Sequence, residues 1–157
     1  MDVKAQLTQR RAEKGLGKAC EGVLRTLPEW FGREDALMEY VAEIDALDTY
    51  TTWDGNNLVG FFSVNYHNAY SAELHVLAVH KDHHRQGIGL LLFQTIEKEL
   101  KAKSVKLLQV KTLGASANDP NYEKTRHFYT ALGFYPLEEI EDFWGEGTPC
   151  LFMVKAL

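Results

Sequence analysis

The sequence predicts an α/β fold of the α+β kind: a mixed, mostly antiparallel central sheet flanked by helices, in the order ααβββαβαββ. Three features carry that expectation. Helical and strand periodicities succeed one another along the chain without a break in composition. The turn Asp54-Gly55-Asn56-Asn57 separates Thr49–Trp53 from Leu58–Tyr66, both rich in aromatic or β-branched residues, which predicts an antiparallel hairpin. The run from Leu74 to Leu92, LHVLAVHKDHHRQGIGLLL, takes a buried strand through a basic Gly-x-Gly turn straight into an amphipathic helix.

The N-terminal third reads as helix. Lys18 to Thr26 precedes a stop at Pro28, and Ala36, Leu37, Tyr40, Val41 and Ile44 recur at helical spacing, so two helices are expected before any strand. After the hairpin, a third strand over Ala72 to Val79 leads into the glycine turn. From Gly87 to about Lys101, Ile88, Leu91, Leu92, Ile96 and Leu100 form an apolar stripe opposite Gln94, Glu97, Lys98 and Lys101. Val105 to Thr112 is the next strand. Beyond Asn118-Asp119-Pro120, helical spacing returns over Tyr122 to Leu132, with Gly133 placed to cap it in the left-handed conformation. The chain closes with a strand over Phe134 to Leu137, an acidic loop from Glu138 to Gly147, and an apolar strand over Pro149 to Val154. Cys150 to Val154 is a candidate subunit edge in a homodimer. No repeat, low-complexity tract or linker divides residues 1–157, which are expected to form one domain.

At 157 residues, 45% apolar and 25% charged, the chain suits a single globular domain with a real core. Its net charge of −5 argues against nucleic acid or an acidic membrane surface as partner. Positive charge is local instead, at Lys81, His84 and Arg85, where it suits a phosphate. Cys20 and Cys150 read as reduced core thiols, which makes the cytoplasm the expected location. The opening MDVKAQLTQRRAEKG has no apolar core, and no run approaches a membrane span, so neither an export nor an anchoring signal is expected.

Two glycines between Arg85 and Leu90 let the amides of Gln86, Gly87, Ile88 and Gly89 turn into one concavity, to which the opening helix adds its positive dipole end. The ligand should carry an anionic group. A Walker loop needs Gly-Lys-Ser/Thr, which is absent, and a dinucleotide fingerprint needs a third glycine where Leu92 stands. The stretch resembles the acetyl-CoA site of the GNAT acyltransferase superfamily. That site has a strand ending in a triplet like Leu77-Ala78-Val79, then Arg/Gln-x-x-Gly-x-Gly/Ala. Here His84 stands at the first motif position, followed by Arg85, Gln86 and the two glycines. A second stretch, Thr125 to Phe134, is similar to the family helix that carries Phe-Tyr and then Gly-Phe, here Phe128-Tyr129 and Gly133-Phe134. Where that helix often carries an Asn, Tyr122 stands, with Asn121 one place off. The resemblance covers residues 58–154, and residues 1–48 correspond loosely to the variable, substrate-side region.

The resemblance implies an N-acetyltransferase acting on a primary amine, of a small molecule or a protein, with acetyl-CoA as cosubstrate and no metal. It implies that Leu77, Ala78 and Val79 pair with the pantetheine, and that Arg85, Gln86, Gly87, Ile88, Gly89 and Leu90 hold the diphosphate. Tyr129 is then the acid that protonates the departing thiolate; on its own, a Tyr beside Phe128 reads as helix packing. Period-two alternation places Glu73 on one strand face with His75, Leu77 and Val79, so Glu73 is the first candidate proton acceptor and His75 the second. His80, His83 and His84 lack a Cys or acidic partner at the spacing characteristic of a tetrahedral metal site. The acidic run Glu138, Glu139, Glu141, Asp142 and Glu146, broken by Phe143 and Trp144, reads either as a solvated loop or as a surface for a cationic amine. The alternative function is a regulatory module that binds acyl-CoA without turnover.

Overall fold

The computed structural model describes residues 6–157, so Met1–Ala5, the start of the segment read for targeting signals, lie outside the described residues. The described residues divide into two compact units, 6–65 with Val76–Glu99, and Tyr66–His75 with Leu100–Leu157. The first unit contains β1 (Leu7–Glu13), α1 (Gly17–Leu24), α2 (Pro28–Phe31), α3 (Glu34–Ala46), β2 (Asp48–Asp54) and β3 (Asn57–Tyr66). It also holds the second half of β4 (Ser71–Val79) and most of α4 (Ile88–Ala102). The second unit holds the first half of β4, then β5 (Leu107–Leu113), α5 (Pro120–Ala131), β6 (Tyr135–Ile140) and β7 (Cys150–Ala156). Strand order in the seven-stranded sheet is β1-β2-β3-β4-β5-β7-β6. The β1–β2, β2–β3, β5–β7 and β6–β7 ladders are antiparallel and β4–β5 is parallel, the mixed and mostly antiparallel sheet expected.

Three details differ from expectation. A strand, β1, comes before the helices, so residues 1–48 are not wholly helical. LTQRRAE has no apolar alternation because most of its side chains are exposed. It is held by its ladder to β2 and by the Arg10 guanidinium, 3.8 Å from the Trp53 ring centre. The acidic loop also begins later: Glu138, Glu139 and Ile140 continue β6, because Phe152, Leu151 and Cys150 of β7 offer them main-chain partners. Finally, β7 lies between β5 and β6, so Cys150 to Val154 is interior to the sheet and the edge belongs to β6.

In the first unit, Cys20, Val23 and Leu24 of α1 and Leu37, Val41 and Ile44 of α3 bury against Phe61, Val76 and Ala78 of the sheet. The stripe of α4 is buried at Ile88, Leu92, Ile96 and Leu100, but Leu91 is 54% exposed and Phe93 takes the inward place. In the second unit the core gathers Leu108, Val110, Leu132, Phe134 and Met153. Asp119 starts α5 by accepting the N–H of Asn121 (2.9 Å) with Pro120 in the first turn, and Gly133 follows the helix at φ +100°.

Candidate functional site

In the first unit, the strand-to-helix connection is tied down before the glycines are reached. The N–H of His80 donates to Val59 O (2.8 Å), its Nδ1 accepts the N–H of Asp82 (3.1 Å), and the N–H of Lys81 donates to Thr26 Oγ1 (3.2 Å). His84 Nε2 donates to Val79 O (2.7 Å). Two of the basic turn's side chains, His80 and His84, thus serve its own conformation. Arg85 and Gly87 follow with φ of +62° and +76°, a left-handed conformation that is costly for Arg85 and free for glycine. The first bond of α4 runs from the Leu91 N–H to Gly87 O (3.0 Å), so the amides of Ile88, Gly89 and Leu90 have no acceptor within the helix. A Cβ on Gly87 would meet nothing within 4 Å, and Arg85, Gln86 and Gly87 are exposed. Amides with no acceptor within the helix, at the start of a long helix and next to exposed residues, suit an anionic ligand.

One residue behind this turn is not singled out by the sequence reading. Gly60, in the middle of β3, faces Ile88, and a Cβ there would lie 2.7 Å from Ile88 Cγ2. The close helix-to-sheet approach that a third loop glycine would allow comes here from a strand glycine. An isolated glycine inside an apolar strand is the sequence signal for it.

The second unit holds the carboxylate. Glu73 is 3% exposed; its Oε1 lies 2.7 Å from His67 Nε2 and 3.1 Å from Lys111 Nζ, and its Oε2 lies 3.8 Å from His75 Nδ1. Burial pushes the Glu73 carboxyl up, but His75, His67 and Lys111 outweigh it and hold the group down at about 2. The parallel ladder pairs Glu73 with Gln109, and Lys111 lies two residues further on the same face of β5. The β4–β5 ladder pairs Ser71, Ala72 and Glu73 with Leu107, Leu108 and Gln109. His67 is folded back towards Glu73 by the turn in which Asn68 Oδ1 accepts the amides of Tyr70 and Ser71. Neither His67 nor Lys111 is marked by the sequence pattern.

Tyr129 is buried on α5, its ring 5.8 Å from those of Phe128 and Phe134. Cys20 and Cys150 are free and buried, and burial pushes their thiols up to about 12 and about 11. Among the described residues, no three His, Cys, Asp or Glu side chains gather to hold a metal ion, and no helix is long and apolar enough to cross a membrane.

A left-handed turn joins a sheet strand to a long helix whose first amides have no acceptor within the helix. The Acetyltransferase (GNAT) domain model matches residues 36–136, so the chain belongs to the GNAT family and is an acyl-CoA-dependent N-acetyltransferase. The fold is shared with a protein assigned to the same family from Desulfovibrio desulfuricans, at TM-score 0.82 and 15% identity, over 96% of this chain and 99% of that one. An aminoglycoside 6'-acetyltransferase type Ii is similar at TM-score 0.73 and 25% identity, over 95% and 96%. A GNAT acetyltransferase from Elizabethkingia anophelis, solved with acetyl-CoA bound, is similar at TM-score 0.71 and 17% identity, over 98% and 100%. No curated protein matches the sequence.

Proposed function

We infer that the protein transfers the acetyl group of acetyl-CoA to a primary amine by direct attack within a ternary complex. The observation that carries this reading is the left-handed turn at Arg85 and Gly87, which presents the amides of Ile88, Gly89 and Leu90 to a diphosphate. Arg85 and the Gln86 and Gly87 amides complete the grip, and the main chain of Leu77, Ala78 and Val79 pairs with the pantetheine. An N–H of that strand stabilises the oxyanion that forms as the amine attacks the thioester carbonyl. The new C–N bond forms, the C–S bond breaks, the amine loses a proton and the departing thiolate gains one.

Tyr129 gives the thiolate its proton, since a phenol is a competent donor at neutral pH. A carboxyl held at about 2 is too weak a base to keep a proton at neutral pH, so Glu73 acts through its partners. Its negative charge, 3.8 Å from His75, favours the imidazolium that forms when His75 accepts the proton of the amine. In this reading His75, the second sequence candidate, accepts the proton, and Glu73, the first, positions and charges it. Coverage of 96% of this chain by a family structure supports reading residues 1–157 as one acyltransferase domain. The two free thiols support a reducing, cytoplasmic location.

The test is thiol release from acetyl-CoA across a panel of amino sugars, polyamines, amino acids and peptides, with Tyr129→Phe beside the unaltered chain. Turnover should fall about 100-fold or more while acetyl-CoA affinity stays nearly intact, the size of a lost general acid. Unchanged turnover in the variant would remove Tyr129 from the chemistry, and binding without any turnover would reduce the protein to a module that only senses acyl-CoA.

A further inference from the structure

The buried carboxylate of the second unit has more partners than proton transfer to His75 requires. Glu73 Oε1 is shared by His67 Nε2 (2.7 Å), from the turn before β4, and by Lys111 Nζ (3.1 Å), from β5, while Oε2 faces His75 Nδ1 (3.8 Å). A carboxylate only accepts, so His67 and Lys111 both donate to the one oxygen. Two donors there fix the plane of the carboxylate and aim the other oxygen at the His75 imidazole. At 3.8 Å that second contact is longer than a hydrogen bond and acts mainly through charge. The Lys111 ammonium is also held from β7, where Phe152 pairs directly with Lys111 and its ring centre lies 5.8 Å from Nζ. Glu73 is sealed from solvent, whereas the side chains of His75 and Lys111 keep 28% and 27% of their surface exposed.

Charge decides what this arrangement does. An opposite charge within about 4–6 Å shifts a titrating group by about 1–3 pKa units towards its charged form. Starting from the ordinary histidine value of about 6.5, an imidazole beside an unopposed carboxylate would already be protonated at neutral pH. It could then take no proton from an amine. The other groups that face the carboxylate are the His67 imidazole and, from β7, the Cys150 thiol, which burial pushes up to about 11 and which stays neutral. Lys111 is the fixed countercharge of the cluster. We propose that Lys111 is a positioning residue for acetyl transfer: it anchors Glu73 by one oxygen and offsets its charge, so that His75 stands neutral when the amine arrives. An Nδ1–H turned to Oε2 places the ring's lone pair on Nε2, the atom that takes the proton. The imidazolium then formed is met by a carboxylate already oriented towards it. The consequence for turnover rests on the reading of His75 as acceptor; the coupling of Lys111 to His75 does not.

The experiment follows the ring resonances of His75 by NMR against pH in the full chain, assigned with His75→Gln. Beside it runs the pH dependence of thiol release from acetyl-CoA, with the amine of the panel that turns over fastest. In Lys111→Met the His75 midpoint should rise by about one unit, and the acid limb of the rate profile should rise with it. Turnover at pH 7 should fall by up to about tenfold and recover at higher pH, the ratio that a one-unit shift sets. Lys111→Arg keeps the charge, so midpoint and limb should both stay near their original place. An unmoved His75 midpoint in folded Lys111→Met would overturn the proposal, because a purely structural Lys111 changes stability and not that titration. A midpoint that moves while the rate profile stays put would uphold the coupling and remove His75 as acceptor. Should Lys111→Met not fold, Glu73→Gln is compared with Glu73→Gln/Lys111→Met, which differ only in the ammonium. His75 should titrate higher in the double variant, and equal midpoints would overturn the proposal.

Discussion

Gly60 of β3 and Ile88 of α4 approach so closely that a Cβ on Gly60 would lie 2.7 Å from Ile88 Cγ2, with Leu92 Cδ1 and Val79 Cγ2 each at 3.6 Å. The strand thereby sets where α4 begins, and with it the direction of the amides at Ile88, Gly89 and Leu90. Gly60→Ala should push the helix start away at a cost of about 1–3 kcal/mol, the usual penalty of overpacking. Thermal melts should show a lower Tm, and calorimetry a weaker affinity for acetyl-CoA. A lower Tm with unchanged affinity would separate helix placement from acetyl-CoA binding.

Gly87 poses a different problem, because space is not the constraint there. Nothing lies within 4 Å of a Cβ, yet φ is +76°. Gly87→Ala should therefore cost about 1–2 kcal/mol of backbone strain, with no change in packing. Relief of that strain through a different turn would scatter the amides, so acetyl-CoA affinity should fall more than stability does. Paired calorimetric and chemical-denaturation measurements decide it.

The buried acid makes stability depend on pH. Folding lowers the Glu73 carboxyl from 4.5 to about 2, so its contribution is complete above pH 4.5 and is lost as pH falls through that range towards 2. The shift corresponds to about 3 kcal/mol at neutral pH. Glu73→Gln should be less stable than the unaltered chain at pH 7 in urea denaturation, with the gap closing steadily below pH 4.5. A gap that stayed constant down to pH 3 would show that the carboxylate charge is not what His67, His75 and Lys111 hold.

The two cysteines should be silent towards thiol reagents. Burial holds Cys20 at about 12 and Cys150 at about 11, so neither carries appreciable thiolate at pH 8. Alkylation followed by mass spectrometry should leave both unmodified in the folded protein and modify both in denaturant. Rapid labelling of the folded chain at either position would contradict the buried, protonated state.

What was legible in the sequence was local. The Asp54-Gly55 turn, the stripe of α4, the helix through Phe128 and the left-handed turn before Ile88 depend on residues a few positions apart, whose spacing and backbone freedom are written in the chain itself. The same locality made the family recognisable, because the residues that carry the resemblance, among them Gly87 and Gly89, lie within a few positions of one another. What only the tertiary structure decided was pairing over distance. β1 and the acidic half of β6 have no apolar rhythm and become strands because neighbours supply their hydrogen bonds. Lys111 reaches Glu73 from 38 residues away because β4 and β5 run parallel in one particular register, and Gly60 meets Ile88 because a helix lies across its strand. Short-range order follows from sterics and periodicity within a few residues. Register and burial are set by which distant segments come together, and a single sequence does not encode that choice in any one place.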